Sequence, residues 1–125
     1  MKAVVADTSY VVEGLLNNAS LFDDTIICTA SYGLYEILNV IWKHQVLLKR
    51  IKDGKPVVDV LFGLIHAGRI QLLTPQSETM KNAYTFAVKT KVPVYDIVFI
   101  ALAKQLGTDL LTFDKKQAAI FRQWK

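Results

Sequence analysis

The sequence predicts a three-layer α/β/α domain, with helices covering both faces of a central parallel sheet of four strands, or five. Two observations carry this expectation. Four short apolar or β-branched runs, Ala3–Ala6, Thr25–Thr29, Ile70–Leu73 and Asp109–Thr112, alternate with segments of helical length. Strands alternating with helices imply parallel neighbours joined by crossovers. The runs are also short and apolar, as strands buried on both faces are. With 125 residues, no internal repeat and no linker, residues 1–125 form one domain with a single core.

The first run stops at Asp7-Thr8-Ser9, and Tyr10–Leu16 follows as a helix. Residues 17–24 are polar and turn-rich, a loop before the second strand. Ser31 is a candidate N-cap for a long helix over Tyr32–Leu48, with Lys49, Arg50 and Lys52 as favourable charges at its end. Asp53-Gly54-Lys55-Pro56 breaks the chain, and Val57–His66 is a helix with Gly68 near its end as a C-cap. Thr74-Pro75 closes the third strand. Ser77–Lys89 is a more polar helix, and Pro93 lies in the joint before a strongly apolar one, Tyr95–Leu106, which ends at Gly107. After the fourth strand and Phe113-Asp114, a last helix runs from Lys115 towards Trp124.

Composition excludes several classes. Apolar residues make up 52%, too many for a disordered tail. The longest apolar run, Val94–Ala103, contains Asp96 and falls short of the roughly 20 residues a membrane span needs. The N-terminal apolar run is too short for a signal peptide and carries Asp7, so a cytoplasmic protein is expected. The single cysteine, Cys28, suits a reducing compartment and reads as a small core residue. Glycine-rich phosphate loops are absent. Fifteen Lys and Arg against eleven acids give a net charge of +4; with four acids withdrawn into a cleft, fifteen against seven leaves +8 on the remaining surface. A basic surface around an acidic hole suits a polyanion held by its phosphates.

Chain direction brings four acids to one place. In a parallel sheet every strand ends, and every following helix begins, at the same edge, where open α/β folds bind ligands. Asp7 follows the first strand, Asp114 follows the fourth, and Asp96 starts the helix leading back to it. Glu36 is some five residues into the helix after the second strand, about 7 Å from that edge. Asp7, Asp96 and Asp114 also suit ordinary helix caps, worth about 1 kcal/mol each. Glu36 shares a narrow polar stripe with Asn39 and Lys43, flanked by Tyr35, Val40 and Trp42, and this places the stripe in a cleft. Four clustered carboxylates repel unless a cation joins them. A hard divalent ion, Mg²⁺ or Mn²⁺, suits such an oxygen donor set, and it activates water against a phosphodiester. His44 and His66 stand alone and give no zinc pattern. Thr8, Ser9 and Thr112 lie where each orients a carboxylate or a bound water through a hydrogen bond, and Asn39 is the fourth such candidate.

Other assignments of the acids fit less well. A phosphoacceptor domain needs an aspartate after its central strand, where Leu73-Thr74-Pro75 stands, and a haloacid-dehalogenase-type phosphatase needs one at position 9, which is Ser. A non-catalytic module whose acidic pocket holds a basic peptide stays open as the alternative. Val57, Val60, Leu61 and Leu64 serve either a core or a dimer face, and Tyr84, Phe86 and Trp124 read as packing residues rather than base-stacking ones.

Four motifs, V-V-A-D-T-S, Y-E-I-L-N-V-I-W-K, Y-D-I-V-F-I-A-L-A and L-L-T-F-D-K-K, stand in this order over essentially the whole chain, and together they resemble PIN domains, in particular the VapC toxins of archaeal toxin–antitoxin pairs. The resemblance implies a Mg²⁺- or Mn²⁺-dependent endoribonuclease on a parallel sheet of four or five strands. It places the family's acidic quartet, the catalytic and metal-binding residues, on Asp7, Glu36, Asp96 and Asp114, with Ser9 or Thr112 as the accompanying hydroxyl. It further implies a homodimer, an RNA substrate and a VapB-like antitoxin whose tail covers the acidic pocket. Many relatives continue into a fifth strand, whereas this sequence stops at Trp124-Lys125; four strands are expected, or a degenerate fifth in Phe121–Trp124.

Overall fold

The structure, a computed structural model, describes residues 1–124. Within them β1 (Lys2–Ala6), β2 (Thr25–Ala30), β3 (Ile70–Leu73) and β4 (Leu110–Leu111) form one sheet in the order β3-β2-β1-β4. Every pairing is parallel, with Val4 opposite Ile27, Ile27 opposite Ile70, and Ala6 opposite Leu111. Six helices surround it: α1 (Thr8–Leu16), α2 (Gly33–Val46), α3 (Lys55–His66), α4 (Ser77–Thr90), α5 (Val94–Leu106) and α6 (Lys115–Gln123).

Alternation along the strands divides the core. Ala6, Ile27 and Ile70 turn towards α1, α2 and α3 and pack with Val11, Ile37, Ile41 and Leu61. Their neighbours Val5 and Cys28 turn the other way, onto Leu102 and Ala103 of α5. Helix α5 lies between the sheet and α4 with α6, which is why Ile97–Ala103 is buried without a break. A helix enclosed on all sides is apolar all round, as its sequence already indicated. Gly68 and Gly107 take left-handed φ values of +75° and +68° after α3 and α5, the conformation in which glycine is favoured.

Several sequence expectations need correction. There is no fifth strand among the described residues: Phe121–Gln123 complete α6, where Phe121 packs near Leu110 and receives the Lys104 ammonium 4.1 Å from its ring centre. Ser31 does not cap a helix. Its N–H donates to the Leu73 carbonyl at 2.8 Å, prolonging the β2–β3 ladder, and its hydroxyl lies 3.3 Å from that of Thr74. Helix α2 therefore starts at Gly33 and ends at Val46, so Lys49, Arg50 and Lys52 lie beyond its last turn, which holds Lys43 and His44 instead. Pro56 belongs to the first turn of α3 rather than to a break before it, a position where its missing N–H costs nothing. The loop over residues 17–24 contains a 3₁₀ turn, Ala19–Phe22, whose Phe22 ring is buried against Gly14. Val57, Leu61 and Leu64 pack into the core and Val60 is exposed. His66 is the last residue of α3 and exposed.

Candidate functional site

Between β1 and β4 the strand order reverses, because the chain winds outward from β1 to β2 and β3 and then returns to β4 on the other side. Open α/β sheets bind ligands at such a switch point, beyond the carboxyl ends of the strands. Asp7 stands there. Its N–H donates to the Leu111 carbonyl at 3.1 Å, so the β1–β4 ladder runs into the site itself.

Asp7 is the floor of the cleft and is only 4% exposed. Buried carboxylates need donors, and three supply them. The Tyr10 N–H donates to Oδ1 at 3.2 Å, which makes Asp7 the N-cap of α1, and the Ser9 hydroxyl donates to the same oxygen at 2.7 Å. The Thr112 hydroxyl donates to Oδ2 at 2.5 Å. Thr112 Oγ1 also accepts the Asp114 N–H at 2.9 Å, and Ser9 Oγ accepts the Phe113 N–H at 3.0 Å. Two hydroxyls thus tie the turn after β1 to the turn after β4. Asp114 is both the N-cap of α6, accepting from Lys116 and Gln117 N–H at 2.9 and 3.2 Å, and a wall of the cleft. Asp7 and Asp114 therefore each cap a helix and line the cleft.

Glu36 and Asp96 complete the wall from α2 and α5. Both are exposed, as is Asp114, so one buried carboxylate is surrounded by three at the rim. The Thr8 hydroxyl donates to Glu36 Oε1 at 3.4 Å. Desolvation holds the Glu36 carboxyl above the ordinary glutamate range, the charges of Asp96 and Asp7 push in the same direction, and the Thr8 hydrogen bond opposes them. The cleft has a volume of about 490 Å³, and no Lys, Arg or His of the described residues lines it. As the side chains stand, no three His, Cys, Asp or Glu of the described residues come close enough together to hold an ion. Thr8 and Ser9 line the cleft and Thr112 bonds to its floor, whereas Asn39 is exposed on α2 outside the lining. The polar stripe of α2 enters the cleft only at Glu36, beside Val40; Tyr35 and Trp42 are exposed.

Two polar lining residues were not anticipated. Glu13 adds a fifth carboxylate from α1, held by the Asn17 amide at 3.0 Å. Gln117 is 5% exposed, and its Oε1 has no hydrogen-bond partner. The signal for Gln117 was legible: Asp114-x-x-Gln117 is a capping-box spacing, in which the glutamine ordinarily reaches back to the cap N–H. Here Thr112 occupies that N–H, and the glutamine is left facing the cleft.

Comparisons with known proteins agree with this fold. Ribonuclease VapC3 of Pyrobaculum aerophilum is 32% identical over 94 residues, covering 74% of this chain and 70% of that protein. The crystal structure of PAE2754, also from Pyrobaculum aerophilum, superposes with a TM-score of 0.76 over 95% of this chain and 84% of that one, and at 18% identity this is a likeness of fold. The PIN domain model matches residues 4–122. A parallel four-stranded sheet with acids gathered at its switch point, together with that match over nearly the whole length, means that the chain belongs to the PIN domain family.

Proposed function

We propose that the protein is a divalent-metal-dependent endoribonuclease, the VapC-like toxin of a type II toxin–antitoxin pair, which hydrolyses RNA phosphodiester bonds at the Asp7 cleft. The observation that carries this reading is the Asp7 clamp: a carboxylate buried at the switch point, fixed by Ser9, Thr112 and the Tyr10 N–H, with Glu36, Asp96 and Asp114 lining the same cleft and no basic residue among the described residues that line it. The kinship with a ribonuclease VapC3 supports the substrate class.

The donor set fits a hard cation, since every candidate ligand is a carboxylate oxygen. Asp7, Glu36, Asp96 and Asp114 would hold Mg²⁺ or Mn²⁺. When bound, such an ion supplies an activated water and offsets the charge of the attacked phosphate. Asp7, already fixed, sets the position of the site. Asp96 and Asp114 stand at helix N-termini and line the same cleft, and Glu36 completes the set or takes up a proton. Thr8, Ser9 and Thr112 orient the carboxylates. In this reading the protein works in the cytoplasm as a homodimer, and a VapB-like antitoxin inhibits it by covering the cleft. Among the described residues no helix is long and apolar enough to cross a membrane.

Cleavage of defined RNAs with and without Mg²⁺ or Mn²⁺ tests the proposal. The wild type cuts only with metal. Asp7→Asn and Asp96→Asn lose cleavage; Asp96→Asn keeps the thermal midpoint or raises it, since it removes a repelling charge, whereas Asp7→Asn also gives up charge-assisted bonds from Ser9 and Thr112. Retained cleavage in both variants contradicts the mechanism. The separation of the carboxylates keeps one second reading in play, an inactive module whose acidic pocket holds a basic peptide; it predicts peptide binding with no cleavage by the wild type.

A further inference from the structure

Beside the carboxylate cleft lies a second recess, about 350 Å³, lined by Tyr32, Tyr35, Glu36 and Tyr95. Glu36 lines both, so the recess opens from the cleft wall. Its two outer rings are unusually bare: Tyr35 is 73% and Tyr95 69% exposed. The third ring is a fixed support. Tyr32 donates its hydroxyl to the Tyr95 carbonyl at 2.5 Å, and its ring stands 5.4 Å from that of Tyr95 and 5.5 Å from that of Phe99 in the core. Burial, then Glu36 and Asp96, hold the Tyr32 hydroxyl far above its usual range, so it stays a donor. The first turns of α2 and α5 are thereby locked together, and two exposed tyrosines are presented at a set separation.

We propose that Tyr35 and Tyr95, held by Tyr32, form a stacking subsite for an unpaired base of single-stranded RNA, next to the phosphate engaged at the cleft. The proposal rests on the ribonuclease reading. A base fits the chemistry better than a phosphate: three of the four residues lining the recess are tyrosines and none of them is cationic, while aromatic faces accept any base without reading its sequence. The volume is within the range of sites that hold a small planar group. A paired base cannot offer its face to such a recess, so the subsite selects for loops and single strands.

Fluorescence anisotropy with Asp7→Asn protein, which leaves RNA intact, tests the subsite. The probe is a labelled single-stranded octanucleotide, compared with versions carrying one abasic position scanned along it. One abasic position weakens binding about 5-fold or more, the scale of a lost base–aromatic stack. Adding Tyr95→Ala or Tyr35→Ala removes that discrimination, and Tyr95→Phe preserves it. Circular dichroism confirms that these exposed positions leave the fold unchanged. In metal-supported cleavage by otherwise wild-type protein, Tyr95→Ala raises KM and spares kcat. Equal affinity for intact and abasic RNA at every position overturns the subsite and leaves the recess to a protein side chain. Failure of the wild type to cut any RNA with Mg²⁺ or Mn²⁺ instead refutes the ribonuclease reading, whatever the binding result.

Discussion

Thr112→Val isolates the clamp that sets the site. Valine keeps the shape and β-branching at the end of β4 and removes only the hydroxyl, which donates to Asp7 Oδ2 at 2.5 Å and accepts from the Asp114 N–H at 2.9 Å. A hydrogen bond to a charged group contributes roughly 1.5–3 kcal/mol net, and a neutral one about 1 kcal/mol. Thr112 is half-buried and Asp114 exposed, so water replaces part of the loss. Asp7 also keeps Ser9 and the Tyr10 N–H and is not left bare. The expected cost is therefore about 1–2 kcal/mol, well below the sum of the two bonds. At about 2.1 cal/mol/K of unfolding entropy per residue, a chain of this length loses about 4 °C per kcal/mol. Differential scanning calorimetry at pH 7 should show a midpoint lower by about 4–8 °C, and Thr112→Ser should recover most of it. A shift below about 1 °C would mean that the hydroxyl does not hold the two turns together.

Other predictions address the cleft and the core. Glu36 binds its proton more tightly in the folded than in the unfolded chain, so its contribution to stability declines as pH rises through the ordinary carboxylate range near 4.3 and on towards the raised folded value. Glu36→Gln should match the wild-type thermal midpoint near pH 3 and exceed it at pH 7; a lower midpoint at pH 7 would contradict the assignment. Gly14→Ala would drive a Cβ into the buried Phe22 ring. Overpacking of about 1–3 kcal/mol outweighs the roughly 1 kcal/mol gained from helix propensity, so chemical denaturation should show net destabilisation. A stabilised variant would mean that the Phe22 ring moves aside freely.

The fold was legible because each strand carries its own signal. Ile70–Leu73 has the bounds its β-branched start and Pro75 imply, and Ala3–Ala6 ends at the carboxylate that caps the next helix. The positions of Asp7, Asp96 and Asp114 follow from chain direction alone. What was not legible depends on partners distant in sequence. Ser31 reads as a cap until β3 lies beside it and takes its N–H. Phe121 reads as the start of a strand until α5 provides the surface it packs on. Asn39 shares a helix face with Glu36, yet one turn further along it has left the cleft. Gln117 looks like a capping-box residue, and only the Thr112 bond to Asp114 frees it for the site. Tyr35 gave the opposite impression: an aromatic flank suggested enclosure, and the ring is instead among the most exposed in the molecule.

Calorimetric titration of the metal-free protein with Mn²⁺ tests the central claim most directly, because it asks whether the four carboxylates share one ion without relying on any RNA. Saturable binding by the wild type is expected, weakened at least about 10-fold by Asp7→Asn and by Asp96→Asn, as the loss of one ligand or its support usually does. No binding by the wild type, or equal affinity in all three proteins, would mean that Asp7, Glu36, Asp96 and Asp114 line one cleft without forming a metal site.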